Sequence, residues 1–235
     1  MSFRGLFKKI VKKTAATFGY ELRALNIQQA KDAVEYNTAS HVDGFYADPA
    51  LLQKYVQENV PVHLRNLETL LQQHPIPIHG ETSILDAGCG TGHCLKMLHD
   101  RYGCTHLTGL EYSEQALQIA RATCPSARLL QTDFLRESLP EQFDLILCQQ
   151  VLEHITRPDL ALKNLSKMLK PNGRLVITVP DGRLDDFAGH IHFWSGDSLP
   201  LFLEKELPGY TFITGGLQDE VSLYAILSAN PVAGD

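Results

Sequence analysis

Short apolar runs, each closed by polar or turn residues, recur along most of this chain and alternate with stretches of helical spacing. Runs at Ser83–Asp86, His106–Glu111, Arg128–Gln131, Phe143–Cys148 and Val176–Val179 have the length and the continuous hydrophobicity of strands buried on both faces. Tyr210–Thr214 and Leu223–Leu227 read as two further strands, paired as an antiparallel hairpin at the sheet edge. Between them, helical patterns begin at Gly92 and span Leu199–Leu207. Ahead of the first strand, a helix starts at Asp48-Pro49-Ala50, is interrupted at Pro61 and resumes to about Gln73. His74-Pro75-Ile76-Pro77-Ile78-His79-Gly80 is a stiff connector. Strands alternating with helices predict an α/β fold with a mostly parallel sheet.

The first run leads directly into Asp86-Ala87-Gly88-Cys89-Gly90-Thr91-Gly92-His93. Glycines on alternate positions let the backbone turn sharply and let a ligand rest on bare main chain. The helix that starts at Gly92 points its free amides into the same space. The dinucleotide fingerprint G-x-G-x-x-G requires a third glycine where this chain has His93. Asp86 would repel a pyrophosphate, whereas it suits a ligand carrying an ammonium group.

Carboxylates also end the second and third strands. Glu111 lies 23 residues beyond Gly88, roughly the spacing at which an acid meets the ribose of a nucleoside held on the first strand-helix turn. Tyr112 follows it, and Asp133-Phe134 closes the third strand. Taken singly, Glu111 and Asp133 are equally solvated strand-end charges, and Tyr112 a packing residue. Their common rim is where open α/β sheets bind ligands. With Gln149-Gln150-Val151-Leu152-Glu153-His154-Ile155 after the fourth strand and Pro171-Asn172-Gly173-Arg174-Leu175 before the fifth, these landmarks resemble the class I S-adenosylmethionine-dependent methyltransferases. The V-L-E-H-I string is similar to the branch of quinone-biosynthesis and natural-product enzymes, and the basic start followed by Phe18-Gly19-Tyr20-Glu21-Leu22 resembles methyltransferases of glycan or natural-product assembly.

The resemblance covers about residues 83–207 and implies a Rossmann-like, doubly wound sheet of seven strands, mostly parallel with an antiparallel last strand, behind a helical lid. It divides the chain into a lid region, 1–80, and a cofactor-binding domain, 81–235. It implies S-adenosylmethionine as cofactor, held by Asp86, Gly88, Cys89, Gly90, Gly92, Glu111, Tyr112, Asp133, Phe134 and Gln149. Tyr36, Phe45 and Tyr46 in the leading region either wall an acceptor pocket or pack helices against the sheet edge. The loop after the fifth strand, with Asp181, His190 and Trp194, would border the acceptor. His154, His190 and His192 are the bases available near neutral pH, with a buried structural histidine as the other reading of His154. His190 and His192 have the spacing of a strand-borne metal pair but lack a third ligand in the sequence, so no metal is expected.

Composition narrows the class. The chain has 235 residues, 44% of them hydrophobic and 20% charged, and no run long enough to span a bilayer or act as a secretory signal. Its five cysteines form no C-x-x-C pair and read as reduced thiols of a cytoplasmic protein. Residues 1–20 carry +5 and the remainder −11, which excludes nucleic acid as the main partner. Phe3, Leu6, Phe7, Ile10 and Val11 make that start a basic amphipathic helix. Docking on the acidic body is favoured over an anionic membrane surface. The expected activity is methyl transfer to an oxygen or nitrogen of a small-molecule acceptor, such as a natural-product or sugar intermediate. A catalytically silent cofactor-binding module and a nucleotide-dependent oxidoreductase are the alternatives. The sequence does not set the oligomeric state.

Overall fold

The computed structural model describes residues 27–217 and 221–229. The basic segment at residues 1–20 lies outside the described residues. Seven strands form one sheet: β1 Ile84–Ala87, β2 Leu107–Glu111, β3 Arg128–Gln131, β4 Phe143–Gln149, β5 Leu169–Pro180, β6 Tyr210–Gly216 and β7 Ser222–Ala229. Their order is β3-β2-β1-β4-β5-β7-β6, with β7 antiparallel to both of its neighbours. The expected Rossmann-like architecture is therefore present, and β6–β7 is the expected hairpin. The turn expected at 171–174 is an outward bulge within a longer β5. The register jumps from Phe143↔Leu169 to Leu145↔Arg174, so the intervening β5 residues leave the ladder.

Both faces of the sheet are covered. Along β4, Leu145 and Leu147 face one core, and Ile146 and Cys148 face the other, the two-residue period of a strand. The first core takes Leu67 and Leu70 from α4 (Val60–Gln73), Leu95 and Leu98 from α5 (His93–Tyr102), and Leu117 from α6 (Glu114–Thr123). The second takes Leu162 and Leu165 from α7 (Pro158–Lys167), and Leu199 and Leu203 from α8 (Ser198–Glu206). Each such leucine, fully removed from water, contributes roughly 1.5–3 kcal/mol. Because α4 supplies core residues, the leading helices are built onto the sheet.

Ahead of α4 lie α1 (Ile27–Tyr36), α2 (Ala39–Ala47) and α3 (Pro49–Lys54). Asp48 caps α3 by accepting from the Ala50 and Leu51 amides. The expected interruption at Pro61 does not break the chain direction. One π-helical turn, Tyr55–Asn59, joins α3 to α4 and leaves Pro61 in the first turn of α4, where its missing N–H costs little. Among the described residues, no helix is long and apolar enough to cross a membrane.

Candidate active site

The loop between β1 and α5 is held by its neighbours rather than by its own side chains. The amides of Gly88 and Cys89 both donate to the Leu110 carbonyl, at 2.8 and 2.9 Å, which folds the chain over the end of β2. Gly88, Gly90 and Gly92 all have positive φ, at 82°, 50° and 76°. Glycine is required twice over at two of them. A Cβ on Gly88 would lie 2.5 Å from Val151 Cγ2, and one on Gly92 would lie 3.1 Å from the Ala120 Cα.

Glu111, at the end of β2, is buried and collects amides from both sides of this turn. Gly90 N–H donates to Oε2 (3.1 Å), while Tyr112 and Ser113 N–H donate to Oε1 (2.8 and 2.9 Å). Burial raises its pKa, and the three amides pull it back. Asp86, at the end of β1, is also buried. Desolvation pushes it up to about 7, with a hydrogen bond from Cys94 opposing and the charge of Glu111 reinforcing. Gln149 Nε2, from β4, lies 3.3 Å from Cys94 Sγ. Asp86, Gly90, Glu111 and Gln149 thus belong to one connected patch. Cys89 is buried in the core beside it, and burial raises its thiol pKa.

The leading helices close over this patch. Tyr46 and Tyr55 place their hydroxyls 3.3 and 3.7 Å from where a Cβ on Gly90 would be. Phe45 packs edge-on against both rings, at 5.2 and 6.0 Å. Burial raises both phenols, that of Tyr55 to about 12, with the Glu111 charge adding to each. Asp43 of α2 anchors the lid, accepting from Ser113 Oγ at 2.5 Å beside the start of α6. The Tyr112 hydroxyl reaches the Asn37 carbonyl at 3.5 Å, and burial raises its pKa. Asp133 accepts from the Leu135 amide and pairs with Arg136. Phe134 is buried in the core with the Asn164 side chain donating to its carbonyl, so it is placed for packing rather than for facing an open rim.

A second cluster forms farther along the rim. Gln150 follows β4 directly, and its φ of 53° is left-handed; strain of this kind at a strand end is often tied to function. A single 3₁₀ turn, Leu152–His154, follows. Its Glu153 carbonyl accepts from the Ile191 and His192 amides, which pins the loop after β5 against it. The Glu153 carboxyl is almost wholly buried, and beyond a weak contact with its own backbone amide neither oxygen has a hydrogen-bond partner. Burial pushes its pKa up to about 8.

Around that carboxyl, the His154 and His190 rings lie 4.6 Å apart, and His190 Nδ1 is 2.6 Å from Asp185 Oδ2. Phe187 packs between His190 and Tyr36 of α1, with Tyr36 edge-on at 5.2 Å. Asn37 ties the lid here too, donating to the Gly189 carbonyl at 2.7 Å. One ligand-type atom from each of Glu153, His154 and His190 lies within 4.8 Å of the others. The residues expected around the acceptor therefore divide. Tyr36 joins His154 and His190 here, whereas Phe45 and Tyr46 stand over the glycine loop.

Three residues expected at the acceptor are engaged within the fold. Trp194 is a core residue, 6% exposed, packed on Phe202 at 5.4 Å, because its bridge to Asp181 turns it inward. Asp181 is buried and neutralised by a fork from Arg183, which holds its carboxyl below the usual range. His192 stacks on Trp194 instead of joining His190, and its lowered pKa, from burial, makes it a poor base. Sequence reasoning gave no role to Glu153, Asp185 or Tyr55. Glu153 had one signal, a carboxylate inside the apolar string V-L-E-H-I.

A mostly parallel sheet of this order, with a glycine turn after β1 and acids closing β1 and β2, is the arrangement expected of a class I methyltransferase domain. Residues 85–175 match the family described as a methyltransferase domain, which supports reading this domain as an S-adenosylmethionine-dependent methyltransferase. The trans-aconitate 2-methyltransferase of Acidovorax sp. (strain JS42) is 32% identical over 136 residues, covering 57% of this chain and 50% of that protein. The ubiquinone biosynthesis O-methyltransferase of Idiomarina loihiensis is 28% identical over 123 residues, 49% of each. This chain spans about half the length of these curated relatives. The DhpI–SAH complex shares the fold, with a TM-score of 0.65 at 16% identity, over 85% of this chain and 98% of that one.

Proposed function

We propose that this protein transfers a methyl group from S-adenosylmethionine to an oxygen or nitrogen of a small molecule, with natural-product or sugar intermediates as the acceptor class. One observation carries the reading: three positive-φ glycines present bare backbone beside two buried carboxylates, Asp86 and Glu111, on one rim. A bound sulfonium nucleoside fits that donor set, which has acids where a dinucleotide site would need amides for phosphate. The cofactor supplies a methyl carbon activated by the positive sulfur.

The chain's own residues do the rest. Asp86 receives the ammonium end, Gly88, Cys89, Gly90 and Gly92 provide the backbone cradle, and Glu111 takes the ribose hydroxyls, sharing its oxygens with the amides it already holds. Tyr112 and Asp133 border the base, with Phe134 packed in the core behind them, and Gln149 keeps Cys94 and Asp86 in register. Tyr46 and Tyr55 exclude water over the loop, and holding two reactants in line supplies much of the acceleration. Activation of the acceptor hydroxyl falls to the cluster of Glu153, His154 and His190. Burial lowers His154 to about 4, so it is neutral but a weak base by itself.

The test is calorimetric titration with S-adenosylmethionine and, separately, NADH, followed by S-adenosylhomocysteine release with acceptor pools. Binding of S-adenosylmethionine alone is expected, weakened in Glu111→Ala by about 1.5–3 kcal/mol. NADH binding would return the oxidoreductase reading, and tight binding without turnover on any acceptor would return the regulatory module.

A further inference from the structure

The buried carboxyl of Glu153 poses an accounting problem. Taking an ionised carboxylate out of water without a partner costs several kcal/mol, and native interiors avoid it. Protonating it does not solve the problem, because a neutral carboxyl must still donate its O–H, and neither oxygen has an acceptor in reach. What stands nearest are two imidazoles. His154 Nδ1 is buried and without a hydrogen-bond partner, and its ring also interacts with the Gly189 backbone. His190 is fixed through Nδ1 by Asp185 at 2.6 Å, leaving its other nitrogen outside that contact. These groups come from two segments, the turn after β4 and the loop after β5, and the Ile191 and His192 amides lock the two together.

We infer that Glu153, His154 and His190 bind one divalent transition-metal ion, with Asp185 orienting His190 from behind, and that this ion holds the reacting oxygen of the acceptor. The mutual spacing of the ligand atoms, within 4.8 Å, is slightly wider than the ~3–4 Å implied by bonds of about 2.0–2.2 Å. Side-chain rotations of under about 1 Å close that gap. Two imidazoles and one carboxylate select zinc, iron, manganese, cobalt or nickel over magnesium and calcium, which prefer all-oxygen sites. The carboxylate–histidine link at His190 is the outer support such ligands usually have.

Three protein ligands leave positions open, so the acceptor class narrows to molecules whose reacting hydroxyl has a second oxygen beside it, as in a catechol or a hydroxy acid. Coordination lowers the pKa of a bound hydroxyl. Its proton passes to water. The freed oxygen pair then forms the bond to the methyl carbon as the carbon–sulfur bond breaks and its electrons return to sulfur. The acceptor part of this inference rests on the methyl-transfer reading, whereas the ion site does not.

The experiment titrates the chelator-treated full chain with Co²⁺, read by visible absorption, and with Mn²⁺, read by paramagnetic resonance. One ion per chain is expected. His190→Ala and Glu153→Gln should each weaken it at least tenfold, and Asp185→Asn about 10–100-fold. S-adenosylmethionine affinity should hold in all three. If Glu153→Gln fails to fold, His190→Ala and Asp185→Asn decide. Absence of saturable binding below about 1 mM, or wild-type affinity in the folded variants, overturns the site. Ion binding without S-adenosylmethionine binding would sink the methyl-transfer reading and leave the ion site standing.

Discussion

Asp86 should give up a proton when the cofactor binds. Its carboxyl is pushed up to about 7 because it is buried and faces the charge of Glu111, with only the Cys94 thiol opposing. With that value it carries about 0.9 of a proton at pH 6 and about 0.1 at pH 8. An ammonium group brought beside it offsets the burial that causes the shift, so binding should release up to about 0.9 of a proton at pH 6 and almost none at pH 8. Calorimetry in two buffers of different ionisation enthalpy reads this directly, as a buffer-dependent binding enthalpy at pH 6. Asp86→Asn should abolish that dependence and weaken binding. The same carboxyl affects the free protein. A folded pKa raised above the unfolded value gives a contribution fully present below about pH 4 and lost as pH climbs through about 7. Ionisation then costs up to about 4 kcal/mol. Identical enthalpies in the two buffers at pH 6, or an Asn variant that keeps the difference, would refute the assignment of Asp86 to the ammonium.

Two further outcomes follow from the geometry. Gly88→Ala combines a φ of 82° with a Cβ 2.5 Å from Val151 Cγ2, and should cost about 2–4 kcal/mol in urea denaturation; an unchanged midpoint would show that the loop yields freely. Glu153, pushed up to about 8 by burial, should cost the metal-free protein stability as pH rises from about 4.5 to about 8. Glu153→Gln should flatten that slope, and parallel midpoints for the two proteins at pH 5 and pH 9 would contradict it.

The sheet was legible because its central strands are buried on both faces, which leaves unbroken apolar runs such as Leu145–Cys148. The glycine turn and Glu111 were legible because local backbone geometry and spacing dictate them. The second cluster was not. The pairing of His190 with Asp185, and its approach to Glu153, depend on how a long loop returns over the rim, and nothing in a linear pattern encodes that return. The inward turn of Trp194 was hidden for the same reason, since an aromatic in a loop has no periodicity to show which way it faces. Tyr55 was hidden inside an ordinary helical pattern.

The π-helical turn at Tyr55–Asn59 acts as a phase shift in an otherwise continuous rod. One extra residue in that turn rotates everything before it by about 100° relative to a plain α-helix. The surface that α2 and α3 offer to the glycine loop is thus set by chain length as well as by side-chain identity. Losing one residue there would rotate α3, and with it α2 and Tyr46, away from Gly90 while every aromatic stayed in the sequence. In a lineage carrying this turn, length at 55–59 is therefore expected to be held more tightly than the identities of the residues that fill it.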